Sequence, residues 1–125
     1  MARLKRILVV DDSYDSRYIL AVILDRSRGY ETIEAATGSE AIEKAISEKP
    51  DLIIMDLGLP GISGVDATRA IKDNSSTAHI PIIAHTVWPA DSCKAEALNA
   101  GMVDYLEKPV PMQLMTNTIE KFIAH

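Results

Sequence analysis

The chain has 125 residues, 47% hydrophobic and 25% charged, with a net charge of −5. That length suits one domain with a core of its own and no need of staples. The acidic balance, with no Lys/Arg cluster to offset it, excludes a nucleic-acid partner gripped through phosphates, and the single Cys93 excludes an internal disulfide framework.

Arg3, Lys5 and Arg6 read as a solvated lead-in to a first apolar strand, Arg6–Val10, which closes on Asp11-Asp12-Ser13. A helix is predicted from Tyr14 to Arg28, with Ile19, Leu20, Ile23 and Leu24 as its core face and Gly29 as its stop. Glu31–Ala35 alternates like an edge or half-exposed strand. Thr37-Gly38-Ser39 opens a second helix, with Ala41, Ile42, Ala45 and Ile46 facing inward, and Lys49-Pro50 ends it. Leu52-Ile53-Ile54-Met55-Asp56 is four apolar residues followed abruptly by a carboxylate, the pattern of a strand buried on both faces. A Gly/Pro loop runs to Gly64. A third helix covers Val65–Asp73, with Val65, Thr68 and Ile71 inward, and a polar loop follows. Ile80–His85 is a fourth strand ending at Thr86. A helix spans Ala90–Ala100 up to Gly101, and Cys93 within it reads as a small packing residue. Tyr105–Glu107 is a fifth strand, followed by Lys108-Pro109. Met112–Ile123 is the last helix, with Met115, Ile119 and Phe122 in phase. No apolar run reaches the roughly 20 residues needed to span a bilayer, and the N-terminus carries no signal-peptide pattern. A cytoplasmic protein is expected.

Strict alternation of five strands and five helices predicts a flavodoxin-like, doubly wound α/β fold. Its parallel sheet commonly runs in the order 2-1-3-4-5. In that order the first and third strands are neighbours, and their carboxyl ends bring Asp11, Asp12 and Asp56 together. Three crowded carboxylates either raise a pKa or hold a cation. Mg²⁺ (or Mn²⁺) fits, with Asp12, Asp56 and the Gly58 backbone carbonyl as direct ligands and Asp11 acting through bound water. Thr86 and Lys108 arrive at the same rim. A hydroxyl, an ammonium and a metal around one carboxylate make a phosphoryl site, with Asp56 as covalent acceptor. Taken singly, each has a plainer reading. Asp12 or Ser13 would be a helix cap, Thr86 a strand-end residue and Lys108 a surface lysine.

The motifs Val9-Val10-Asp11-Asp12, Leu52–Asp56 with Leu59-Pro60 and Gly64, Pro81–Thr86 and Asp104–Pro109 together resemble the CheY-like receiver domain of two-component response regulators. The resemblance covers essentially the whole chain. It implies a phosphorylation-dependent switch. Asp56 would take a phosphoryl group from a histidine kinase or a phosphotransfer histidine, and the protein would catalyse its own phosphorylation and slow aspartyl-phosphate hydrolysis without being a conventional enzyme. Asp11 and Asp12 would organise Mg²⁺, and Lys108 would contact a phosphoryl oxygen. Thr86 and Tyr105 would be the switch pair. The Thr86 hydroxyl moves inward, Tyr105 turns into the vacated space, and the surface of helix 4, strand 5 and helix 5 changes for a downstream partner. The Lys108-Pro109 bond would be cis. The expected unit is a single receiver domain over residues 1–125 with no output domain, stand-alone in view of Met1 and the short tail, and monomeric or weakly dimeric.

The chain departs from that pattern after the switch threonine, where a small residue is usual. Val87 is expected to add bulk beside the phosphoryl site and slow attack by water. Trp88 would either cover the site or face a partner. Gly58 offers no side chain to orient or block water. His85 replaces the usual aliphatic residue and is expected to be a packed, neutral histidine, while His79 and His125 read as solvent-exposed. Pro111 stiffens the start of the last helix. An aspartate-nucleophile phosphohydrolase would need a second Asp where Gly58 stands. A flavin-phosphate site would be repelled by Asp11 and Asp12. The standing alternative is a receiver-fold module that binds partners independently of phosphorylation.

Overall fold

The computed structural model describes residues 3–123. Its elements are β1 (Lys5–Val10), α1 (Tyr14–Ile23), β2 (Tyr30–Ala35), α2 (Gly38–Glu48), β3 (Leu52–Met55), α3 (Gly64–Asp73), β4 (Ile82–Thr86), α4 (Ala90–Ala100), β5 (Asp104–Glu107) and α5 (Met112–Phe122). The five strands form one sheet in the order β2-β1-β3-β4-β5, and every pairing is parallel.

Period-two alternation in the central strands divides the core between the two faces. Ile7, Val9, Leu52, Ile54 and Ile83 meet Leu20 of α1 and Met115 and Ile119 of α5. Leu8, Val10, Ile53, Met55, Ile82 and Ala84 meet α2, α3 and α4 through Ala41, Ala45, Val65, Ala67, Ile71, Ala97 and Ala100. All four residues of β3 are buried, at roughly 2 kcal/mol per large apolar side chain. That investment holds in place the strand end at which Asp56 stands. β2 is an edge strand, buried only at Tyr30 and Ala35.

Several local features differ from the expected ones. α1 ends at Ile23, not Arg28, and Arg26–Arg28 form a separate 3₁₀ turn. The Asp25 carbonyl accepts from the Arg28 and Tyr30 amides (3.1 and 3.3 Å), which turns the chain back in time to pair Tyr30 with Lys5. Ile19 and Ile46 are exposed, not core. α1 seats Leu20 and Leu24, four apart, with Ile23 partly buried beside them, and α2 lies close to the sheet on Ala41 and Ala45 with Ile42 partly buried, so only Ile19 and Ile46 fall at the outer margin of each apolar stripe. β4 starts at Ile82 because Pro81 has no amide to donate, although its carbonyl accepts from Ile53 N (2.9 Å). The basic lead-in is not simply solvated. Arg3 reaches Asp51 (3.2 Å), and Arg6 pairs with Glu48, tying β1 to the α2–β3 turn. Cys93 is half-buried against the core, His79 is exposed, and His125 lies outside the described residues. No helix among the described residues is long and apolar enough to cross a membrane.

Candidate phosphoryl site

β1 and β3 are adjacent, and Asp56 N donates to Val10 O at 2.9 Å, so the two strand ends are level. Carboxylate oxygens of Asp11, Asp12 and Asp56 consequently lie within 4.8 Å of one another. Ser13 takes the capping role, its side chain accepting from Ser16 N, which leaves Asp12 exposed and uncommitted. Asp11 is 2% exposed and both its oxygens are engaged. Oδ1 accepts from Ser13 N (2.9 Å) and Oδ2 from Lys108 Nζ (2.7 Å). Lys108 Nζ also donates to Asp56 Oδ2 (3.3 Å), while Asp56 Oδ1 accepts from Gly58 N (3.3 Å). Burial alone would lower the Lys108 pKa. The hydrogen bond to Asp11 and the charges of Asp56 and Asp11 outweigh burial and hold it above the usual lysine value.

Three carboxylates against one ammonium leave a net charge of −2 at the rim (−3 + 1), which one divalent cation cancels. At this spacing each like pair costs roughly 3–4 kcal/mol if both stay charged, at an effective dielectric near 20. All the donors are oxygens, the set a hard cation such as Mg²⁺ takes. Lys108→Met is expected to cost about 2 kcal/mol in a chelator, because it strands the buried Asp11 charge. Millimolar Mg²⁺ should recover part of that loss, and urea unfolding with and without the ion reads both effects.

Thr86 is fully buried at the end of β4, with its Oγ1 accepting from Trp88 N at 3.2 Å. Tyr105, in β5 beside it, is also buried, and its hydroxyl donates to Trp88 O at 2.8 Å. Burial pushes this phenol up to about 12, so it stays a donor at any physiological pH. Tyr105 therefore already points inward with no phosphoryl group present, whereas the expected sequence of events has it turn in only after Thr86 moves. The Lys108-Pro109 peptide is cis.

His85 projects from the opposite face of β4 to Ala84, into a groove of about 420 Å³ between α1 and the start of α5. Ile19, Leu20, Val87, Lys108 and Met115 also line it. Burial first, and then the Lys108 charge, lower the His85 pKa to about 4 against a partial opposing effect of Asp56, so the imidazole is neutral. Val87 is 68% exposed on this groove. It shares the groove with Lys108, the lysine bonded to Asp11 and Asp56. Trp88 lays its indole against Gly58, two residues after Asp56. Sequence patterning does not reveal the contact of Gly64 with Asp56. A Cβ at Gly64 would sit 2.0 Å from the Asp56 carbonyl oxygen.

A doubly wound five-stranded sheet carrying an acidic trio, a lysine and a threonine at its carboxyl rim defines the class of receiver domains. The chain belongs to the response regulator receiver domain family, whose profile matches residues 7–120. It is 35% identical to the protein PilH of Pseudomonas aeruginosa, covering 95% of this chain and 98% of PilH. It is 32% identical to the polar-differentiation response regulator DivK of Brucella anthropi, covering 96% and 97%. Among solved structures it is similar to the chemotaxis protein CheY4 of Vibrio cholerae (TM-score 0.88, 29% identity, 96% and 99% covered). It is also similar to the receiver domain of a sensor histidine kinase from P. aeruginosa, a structure with a magnesium ion in its active-site cleft (TM-score 0.87, 32% identity, 95% and 97% covered). Receiver domains of two-component systems serve signal transduction, and that general function holds for this chain.

Proposed function

We propose that this protein is a phosphorylation-dependent switch in which Asp56 is the phosphoacceptor. The observation that carries the reading is the convergence of Asp56 with Asp11, Asp12 and Lys108 at one sheet rim. Asp12, Asp56 and the Gly58 carbonyl would hold Mg²⁺, with Asp11 behind them. When bound, the ion neutralises charge on the transferring phosphoryl group. One Asp56 carboxylate oxygen attacks the phosphorus of a phosphohistidine on a kinase or phosphotransfer protein, and the imidazole leaves. The Lys108 ammonium, held by two carboxylates, is placed to stabilise phosphoryl oxygen charge. Thr86 and Tyr105 form the switch pair, and the face of α4, β5 and α5 is where a downstream protein would read the state. We infer a cytoplasmic regulator, monomeric or weakly dimeric.

The test is phosphorylation with acetyl phosphate, read by intact mass. Wild type with Mg²⁺ is expected to gain a single adduct of ~80 Da, the mass of one phosphoryl group. Chelation or Asp56→Asn should abolish it. An adduct that persists in Asp56→Asn would put the acceptor elsewhere. One observation favours a second reading, a module whose partner surface forms without phosphorylation: the inward Tyr105 bonded to Trp88 O. Equal partner binding by wild type and Asp56→Asn, with or without phosphodonor, would select it.

A further inference from the structure

Arg17, in the first turn of α1, reaches back to the turn that carries Asp11 and Asp12. Its Nη1 donates to the Asp11 carbonyl oxygen at 2.7 Å, and its Nε donates to Glu34 Oε1 of β2 at 2.9 Å. The Arg17 side chain is 15% exposed, so its charge is largely withdrawn from water. The Tyr14 ring flanks it, with Cζ 5.8 Å from the ring centroid. One planar fork thus ties α1, β2 and the β1–α1 turn together.

The Asp11 carbonyl belongs to the peptide that joins Asp11 to Asp12. The other polar groups of Asp11 are held as well. Its N–H donates to Ala35 O (3.1 Å), Oδ1 accepts from Ser13 N and Oδ2 from Lys108 Nζ. Arg17 completes the set. The backbone from which the Asp12 carboxylate projects is therefore fixed on its N-terminal side, while the carboxylate itself stays exposed and uncommitted.

We propose that Arg17 is a positioning residue for the cation site, its hold on the Asp11 carbonyl setting the Asp12 carboxylate in place for a divalent ion. The inference rests on the acidic trio being the Mg²⁺ site. Arg17 touches neither the ion nor the phosphoryl group in this scheme. Placement and charge act in opposite directions here. A cation beside three carboxylates repels a divalent ion, so losing the Arg17 charge alone would tighten Mg²⁺ binding. Losing the bond to the Asp11 carbonyl loosens it, because the Asp12 carboxylate must then be ordered at the expense of binding free energy.

The experiment titrates the ¹⁵N-labelled full chain with MgCl₂ and follows the amide chemical shifts of Asp12, Leu57 and Gly58. Arg17→Met is expected to weaken Mg²⁺ binding about tenfold. Arg17→Lys keeps the charge without the planar fork and should weaken it less. The initial rate of adduct formation from acetyl phosphate should fall in Arg17→Met at limiting Mg²⁺ and return toward wild type at saturating Mg²⁺, a split that loss of stability alone does not produce. Urea unfolding in a chelator establishes that each variant is folded under the titration conditions. If Arg17→Met is not, Arg17→Gln and Arg17→Lys carry the comparison. Unchanged Mg²⁺ affinity in the folded variants overturns the proposal, and tighter binding overturns it in favour of a purely electrostatic role. A wild type whose shifts respond to MgCl₂ no more than those of Asp12→Asn overturns the cation site itself.

Discussion

Gly64→Ala is expected to cost about 3 kcal/mol or more and to abolish phosphorylation in whatever fraction still folds. The cause is geometric. The added methyl would lie 2.0 Å from the Asp56 carbonyl oxygen and 2.9 Å from both the Asp56 carbonyl carbon and the Leu57 Cα, all backbone atoms with no rotamer to give. Gly64 N also donates to Leu57 O at 2.9 Å, so the first turn of α3 is tied to the loop it would have to push away. Any displacement passes directly to the strand end that positions Asp56. Gly58→Ala supplies the control. There the nearest atoms belong to the movable Trp88 ring, and the loss of stability should be well under half as large. Urea unfolding of the two variants, with adduct mass as second readout, checks both. Similar stabilities for the two would show that the Asp56–Gly64 contact relaxes freely.

His85→Leu is expected to remove most of one acid-sensitive component of stability, worth about 3 kcal/mol in total. In the folded protein the imidazole titrates at about 4, below its ordinary value of 6.5. The unfolded chain therefore takes up the proton first as pH falls. Above roughly pH 6.5 neither state binds it and the residue contributes no pH dependence. Between 6.5 and about 4 the unfolded state is favoured by about 1.4 kcal/mol per pH unit, and below that the effect levels off. The difference in unfolding free energy between wild type and His85→Leu should thus be flat from pH 9 to 7 and then move against wild type. Parallel curves across the acid range would mean that the imidazole protonates in place.

The alternation of strand and helix was legible because the central strands are continuous apolar runs, and because Gly29, Pro50, Gly101 and Pro109 punctuate them. The acidic trio was legible too, since adjacency of the first and third strands follows from the topology alone. Contacts at the same rim that depend on side-chain reach were not. No spacing rule shows that Lys108 bonds Asp11 more closely than Asp56, that Val87 turns to the groove while Trp88 lies on Gly58, or that Gly64 meets the Asp56 carbonyl. The exposure of Ile19 and Ile46 was hidden for a related reason. The apolar stripe on each of those helices is wider than the face that packs, and packing against the sheet, not spacing, decides where burial stops, with Ile23 and Ile42 half inside.

Both margins of the sheet are poor templates for another strand. β2 carries Glu31 and Glu34 on its two faces, Glu34 paired with Arg17, and β5 is only four residues long and bounded by Asp104 and Glu107. Charged side chains flanking each margin and the shortness of β5 are among the devices by which natural sheets resist edgewise growth. A protein that must diffuse between partners at appreciable concentration gains from this. Self-association, where it occurs, is steered away from strand addition and onto the helical faces.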